Sequence, residues 1–304
     1  MSAISRINAD RERLAMTLPR IAEKKRLGEP IVMITAYDYP SALIAEEAGV
    51  DIVLVGDSAG DVVLGYGSTV PVSLEEMLML AAAVRRGLTK PLLVGDLPFG
   101  SYEASDELAV QSAQRLVKEA GVGAVKLEGG GAAQVSRVAA IVAAGIPVMG
   151  HVGLTPQSAT ALGGLRAQGR TAERALEVAL EARALEAAGC FAIVFEAIPA
   201  AVATELTRTL AVPVIGIGAG PGTDGQVLVL HDMLGVYPGQ AKRHSKQYAD
   251  LHGQMLGAIG EYADDVRAGR FPTGENAFSI DPAELEKLQV ALRSAGFETQ
   301  DPAG

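Results

Sequence analysis

Asp51-Ile-Val-Leu-Val-Gly-Asp-Ser58 is the stretch on which the reading of the fold turns. Four apolar β-formers end abruptly in a glycine, a carboxylate and a hydroxyl. A strand buried on both faces needs an unbroken apolar run, and β-branched side chains suit its pleated surface. Asp57 therefore stands where the strand emerges, a position for chemistry rather than packing. Leu92-Leu-Val-Gly-Asp96 repeats the design, and Ala124-Val-Lys-Leu-Glu128 repeats it with Lys126 one strand period before its carboxylate. One acidic strand end carries little weight; a series of them points to a shared site.

Outward from this stretch, strand and helix alternate. The apolar runs at 31–36, 51–55, 91–95, 124–127, 147–150, 192–195, 213–217 and 226–230 read as eight strands. Helices with legible ends lie between most of them. Ser73 followed by Glu76 forms a capping box, and the helices closing at Gly87, Gly121, Gly145 and Gly189 each stop at glycine. This order predicts right-handed βαβ units and a parallel sheet. Eight units predict an α/β chain folded as a closed (β/α)8 TIM barrel. An open doubly wound sheet is the alternative, but polar strand ends scattered over many strands favour the barrel.

The whole chain, 1–304, reads as a single (β/α)8 barrel domain, with no linker or composition shift. Residues 1–28 read as an extension followed by a short amphipathic helix that closes at Gly28 and covers the bottom of the core. Residues 238–304 read as a helical tail, with a long helix at 245–268 and a short one at 282–295. The helix after Gly220 is poorly marked. Two glycine-containing inserts, 59–71 behind Asp57 and 155–170 behind His151, are expected near the site, the first as a mobile flap.

Composition narrows the function classes. The 304 residues are 49% hydrophobic with 4% aromatics and no Trp, so the core is built from Ala, Val, Leu and Ile. Net charge is −10 and no Lys/Arg block stands out, which argues against a nucleic-acid partner. Cys190 is the only cysteine; it reads as a small buried hydrophobe, and no intramolecular disulfide can form. An apolar signal core and any run of 18 apolar residues are absent, so no membrane partner and a cytoplasmic location are expected.

In a barrel, chemistry gathers at the C-terminal ends of the strands. Those ends carry Tyr37 and Asp38, Asp57 and Ser58, Asp96, Lys126 and Glu128, His151, and Glu196. Any one acid alone would read as a helix cap or a structural ion pair. Four of these carboxylates, Asp57, Asp96, Glu128 and Glu196, would repel one another in one cup, and a divalent cation such as Mg²⁺ resolves that. Three of them could hold the ion directly or through water, leaving one as a base. Lys126 supplies positive charge for an oxyanion or substrate carboxylate. A Schiff-base role for it is the competitor, weakened by the acids that would keep it charged. His151 has no Cys or second His at zinc-ligand spacing and reads as a site-lining residue. The glycines at 216–220 lack dinucleotide-fingerprint spacing and read as a tight turn near a ligand.

Taken in series, several motifs resemble one family. They are Ile34-Thr-Ala-Tyr-Asp38, Val55-Gly-Asp-Ser58, Gly95-Asp-Leu-Pro-Phe-Gly-Ser-Tyr102, Val125-Lys-Leu-Glu-Gly-Gly130 and Gly150-His-Val-Gly-Leu-Thr-Pro-Gln157, followed by Phe195-Glu-Ala-Ile-Pro199 and Gly216-Ile-Gly-Ala-Gly220. Together they resemble the ketopantoate hydroxymethyltransferases, of the phosphoenolpyruvate mutase/isocitrate lyase superfamily. The likeness is collinear from about Leu27 to Tyr248 and thins in the tail; Phe195 stands where a smaller aliphatic residue is usual. It implies a Mg²⁺-dependent hydroxymethyltransferase of pantothenate synthesis, with 3-methyl-2-oxobutanoate as acceptor and 5,10-methylenetetrahydrofolate as donor. Carried over by position, Asp57 and Asp96 bind the metal and Glu128 joins them. Asp57, Ser58, Asp96 and Lys126 hold the 2-oxo acid, Glu196 is the general base and His151 lines the site. The resemblance also implies a homo-oligomer, typically a decamer. The competing expectations are a superfamily lyase or mutase acting on a related 2-oxo acid or phosphoenolpyruvate-like substrate, and a non-catalytic metabolite-binding barrel.

Overall fold

A computed structural model describes residues 14–160, 164, 166–238 and 245–297. The start of the expected extension and the centre of the 155–170 insert lie outside the described residues. β1 (Ile31–Thr35), β2 (Ile52–Val55), β3 (Leu92–Asp96), β4 (Ala124–Lys126), β5 (Val148–Gly153), β6 (Ala192–Glu196), β7 (Val214–Ile217) and β8 (Gly225–Leu228) form a closed barrel. Neighbours pair in parallel, and β8 closes on β1 through Ile31 opposite Gly225. The predicted (β/α)8 barrel is the observed fold.

The helices are α1 (Leu18–Leu27), α2 (Tyr39–Ala48), α3 (Ala59–Val62), α4 (Leu74–Gly87), α5 (Asp106–Ala120), α6 (Ala132–Ala143), α7 (Ala172–Ala187), α8 (Ala200–Thr207) and α9 (Leu230–Leu234). Their ends follow local chemistry. The Ser73 side chain accepts from Glu76 N while Glu76 reaches back to Ser73 N, and α5 closes at Gly121 in the left-handed region. Between β7 and β8 there is no helix, because glycines and Pro221 interrupt the helical pattern there. The 59–71 insert begins with α3 and returns on itself as Tyr66 N donates to Gly60 O.

Strand alternation sorts the apolar side chains into two layers. Ile31, Met33, Ile52, Leu54, Val94, Ala124, Met149, Ala192, Val194, Ile215, Ile217 and Val227 fill the barrel interior. Their neighbours, such as Val53, Leu93, Val125, Ile193 and Phe195, face the helices. Phe195 is fully buried there, so the bulk at this position lies outside the barrel, on the opposite side of the strand from Glu196. Cys190 is buried in the same outer layer, where burial pushes its thiol up to about 12.

The α1 helix joins the interior cluster through Ile21, as a cover for the bottom of the core should. Two ion pairs fasten it: Lys24 to Asp51 at 3.1 Å and Lys25 to Asp224 at 2.8 Å. Asp51 thus does more than shape a turn, since its carboxylate also accepts from Val32 N at 2.8 Å.

The chain divides into two compact units, residues 1–250 and 251–304. The second holds α10 (Leu251–Arg267) and α11 (Pro282–Ser294). The long tail helix therefore starts at Leu251 rather than 245, and residues 245–250 are not helical. No helix among the described residues is long and apolar enough to cross a membrane.

Two glycines test the packing, Gly153 at the barrel mouth and Gly28 at the end of the helix that covers the barrel's base. Gly153 has φ +95°, and a Cβ there would lie 2.3 Å from the Glu196 carbonyl oxygen. Gly28 has φ +69° with open space around it. Gly28→Ala should cost about 1–2 kcal/mol, whereas Gly153→Ala should cost ~3 kcal/mol or more because strain and a backbone collision add. Urea unfolding measures both; equal losses would show that the close approach to Glu196 is absent.

Candidate active site

The strand period that fills the core also delivers the polar groups. On β3 the inward set Leu92 and Val94 continues to Asp96; on β4, Ala124 continues to Lys126; on β5, Met149 continues to His151; on β6, Ala192 and Val194 continue to Glu196. Apolar residues occupy the lower interior and titratable ones the C-terminal rim. β5 runs three residues further than its apolar core suggests, so His151 lies within the strand and not after it.

Registration brings partners together. Asp96 and Lys126 are opposed across β3 and β4, and Lys126 Nζ sits 2.8 Å from Asp96 Oδ1. Lys126 Nζ also lies 3.9 Å from Glu128 Oε1 and 3.4 Å from His151 Nδ1. His151 bridges two acids, with Nδ1 3.4 Å from Glu128 Oε1 and Nε2 3.2 Å from Glu196 Oε2. Asp57 N donates to Asp96 Oδ2 at 3.2 Å. Asp57, Asp96, Lys126, Glu128 and His151 are all buried, and the Glu196 side chain is 16% exposed.

Ser58 lies at the start of α3, and its hydroxyl is 2.9 Å from that of Tyr37. Asp38 stands apart from this group: its carboxylate accepts from Ser41 N as the cap of α2.

Burial and mutual repulsion set the protonation pattern. Burial pushes the Asp57 carboxyl well above the usual carboxylate range, and the charges of Asp96 and Glu128 push it further. Asp96 is also raised, chiefly by burial, although Lys126 opposes the shift. Burial is the largest influence on Glu128 and would raise it, but His151, Lys126 and the Gln157 N–H together outweigh burial and hold that carboxyl below its ordinary value. For His151, burial and Lys126 pull downward, yet contacts to Glu128 and Glu196 raise it to about 9. Lys126 is likewise held protonated by Asp96, Glu128 and Asp57 against the pull of burial. An ammonium so held is a poor amine nucleophile.

Four acids thus face two cations. A hard divalent ion would cancel the excess, and carboxylates are the donors such an ion takes. The donor set fits. Among the described residues, no three His, Cys, Asp or Glu side chains close on one point as a ready-made metal cluster. Glu128 is turned toward His151 and Gln157 N, whereas Asp96 reaches the backbone N of Asp57.

Sequence reasoning gave no role to two residues that the structure places among these groups. Gln157, on the turn Pro156–Ser158, contacts both Asp57 and Glu128, and Tyr102 hydrogen bonds to Gln157. An uncharged amide after a proline carries no chemical signal in a single sequence. Ala197, next to Glu196, holds φ +50° as a non-glycine residue. Such backbone persists only where its surroundings enforce it. Here Ala197 N donates to Ile217 O and Gln168 N donates to Ala197 O, both at 2.9 Å, fixing the peptide beside Glu196.

The sequence profile described as ketopantoate hydroxymethyltransferase matches residues 15–274. A Moorella thermoacetica protein named 3-methyl-2-oxobutanoate hydroxymethyltransferase is 54% identical over 267 residues, covering 88% of this chain and 99% of that one. A protein of the same name from Carboxydothermus hydrogenoformans is 51% identical over 273 residues, covering 90% and 99%. Among solved structures, 2,3-dimethylmalate lyase, a PEP mutase/isocitrate lyase superfamily member, aligns with a TM-score of 0.56 at 16% identity, covering 96% of this chain and 99% of that one. Phosphonopyruvate hydrolase in complex with oxalate and Mg⁺⁺ aligns at 0.53 with 16% identity, covering 93% and 100%. These distant likenesses show the fold. The profile and the close relatives show the family: this chain belongs to the ketopantoate hydroxymethyltransferases.

Proposed function

We propose that this enzyme transfers a hydroxymethyl group from 5,10-methylenetetrahydrofolate to 3-methyl-2-oxobutanoate, giving 2-dehydropantoate, with Mg²⁺ as its metal. The observation that carries the reading is the rim itself: an acid excess beside a paired lysine, with Glu196 set apart from the carboxylate pair and held through His151. Asp57 and Asp96 would hold Mg²⁺, and Glu128 would join them. The ion supplies Lewis-acid polarisation of a 2-oxo acid's carbonyl, which acidifies the adjacent C3–H.

Each remaining task falls to the chain's own groups. Glu196 takes the C3 proton as general base. The His151 imidazole, 3.2 Å from the Glu196 carboxylate, holds the base in orientation. Lys126, kept charged, offsets the negative charge that develops on the substrate oxygen. Ser58 offers a hydroxyl to the acid. Carbon C3 then bonds to the donor's one-carbon unit, water supplies the hydroxyl oxygen, and tetrahydrofolate leaves. Homo-oligomeric assembly, as a decamer, belongs to the same reading.

A superfamily lyase or mutase is the weaker reading, because those enzymes usually place a cysteine in a loop as acid. Cys190 instead lies buried before β6 with its thiol pushed up.

The test is proton exchange at C3 of 3-methyl-2-oxobutanoate in deuterium oxide, with and without Mg²⁺. The wild type should exchange only with the ion present. Glu196→Gln should still bind the substrate but lose exchange by about 100-fold or more, the scale of a positioned general base. Normal exchange in that variant removes Glu196 from the base role, and no exchange in the wild type removes the reaction itself.

A further inference from the structure

We infer that Gln157 is the positioning residue of the carboxylate rim, holding Asp57 in the pose in which it receives a divalent cation and fixing Glu128 beside it. The inference rests on the metal reading proposed above. Gln157 is buried on the 3₁₀ turn Pro156–Ser158, directly behind β5. Its Nε2 donates to Asp57 Oδ2 at 2.8 Å and to Leu97 O at 3.0 Å. Its backbone N donates to Glu128 Oε2 at 3.0 Å. Its Oε1 accepts from the Tyr102 hydroxyl at 2.6 Å.

This set satisfies the amide fully and fixes which way it faces. A carboxamide has two N–H donors and one carbonyl acceptor. Leu97 O can only accept, so the nitrogen must point toward it and Asp57, and the Tyr102 hydroxyl fills the oxygen side. A flipped amide would set its oxygen against two acceptors. The turn thereby ties together groups that follow β2, β3 and β4.

The tie acts where repulsion is greatest. Asp57 and Glu128 are both buried beside Asp96, and free carboxylates would swing apart. The amide takes one oxygen of Asp57 and leaves the other for a ligand. The backbone N–H holds Glu128 Oε2, while Oε1 of the same carboxylate faces His151 Nδ1 at 3.4 Å. Glutamate in place of Gln157 would bring another acceptor and no donor. Side chains that orient metal-binding carboxylates in this way commonly govern affinity by about 10–100-fold.

The experiment titrates the full-length protein with Mn²⁺ alone, reading free ion by electron paramagnetic resonance, and checks folding by circular dichroism without metal. Gln157→Met keeps length and removes every side-chain hydrogen bond; it should weaken Mn²⁺ binding by about 10–100-fold. Tyr102→Phe leaves the donor but frees the amide to turn, and should weaken binding by a smaller factor. A folded Gln157→Met protein with wild-type affinity overturns the inference. If that variant does not fold, unchanged affinity in Tyr102→Phe overturns it instead. Absence of Mn²⁺ binding in the wild type is a separate result, which overturns the metal reading and the inference with it.

Discussion

The buried pair of Lys126 and Asp96, 2.8 Å apart, is the interaction on which the site depends. Burying either charge alone would cost several kcal/mol, roughly, and each is tolerable because the other is present. Around this pair the balance remains uneven. Lys126 serves Asp96, Glu128 and Asp57 at once, and His151 is drawn to the protonated form by Glu128 and Glu196. The excess acid settles on Asp57, whose carboxyl is pushed well above its usual range. A cation bound as proposed above would resolve that excess, and the same field keeps the lysine an electrostatic group instead of a nucleophile.

The barrel makes such crowding possible. Eight short strands, each with its inward positions two residues apart, aim side chains at one axis from all directions. Apolar residues fill the lower layers, and α1 covers them with Ile21 while Lys24 and Lys25 grip Asp51 and Asp224. These contacts do no chemistry. They hold the strand register, and register is what sets Asp96 opposite Lys126 and Gly153 opposite Glu196. A one-residue slip would turn each acid from the axis into the helices.

Much of this was legible in the amino-acid order. Asp51–Ser58 showed an apolar strand ending in an acid, and the repeats of that design gave the barrel and nearly all of its rim. Position at the ends of apolar strands also sets Asp96, Lys126 and Glu196 apart from ordinary surface charge. What stayed hidden depended on tertiary contact. Asp51 reads as turn chemistry until α1 is packed beneath the barrel. Asp38 reads as a rim residue until Ser41 is seen to use it as a cap. Gln157 and Tyr102 have neither charge nor spacing to mark them, and their meaning lies in partners 26 to 100 residues away. The tail helix begins later than its composition suggests, because composition carries no boundary at Leu251.

The two kinds of residue answer different physical demands. The charged set must be concentrated to do chemistry, and concentration makes it electrostatically unstable. Neutral groups can restrain acids without altering the charge count, which an added lysine or arginine would do. An amide donor beside Asp57 offsets its negative charge without adding a positive one, so on the metal reading the acid excess remains for a cation to answer. A second lysine there would satisfy the acids outright and remove the reason to bind one. On this argument, the neutrality of Gln157 matters as much as its reach: it restrains the rim while leaving the charge imbalance for the ligand to resolve.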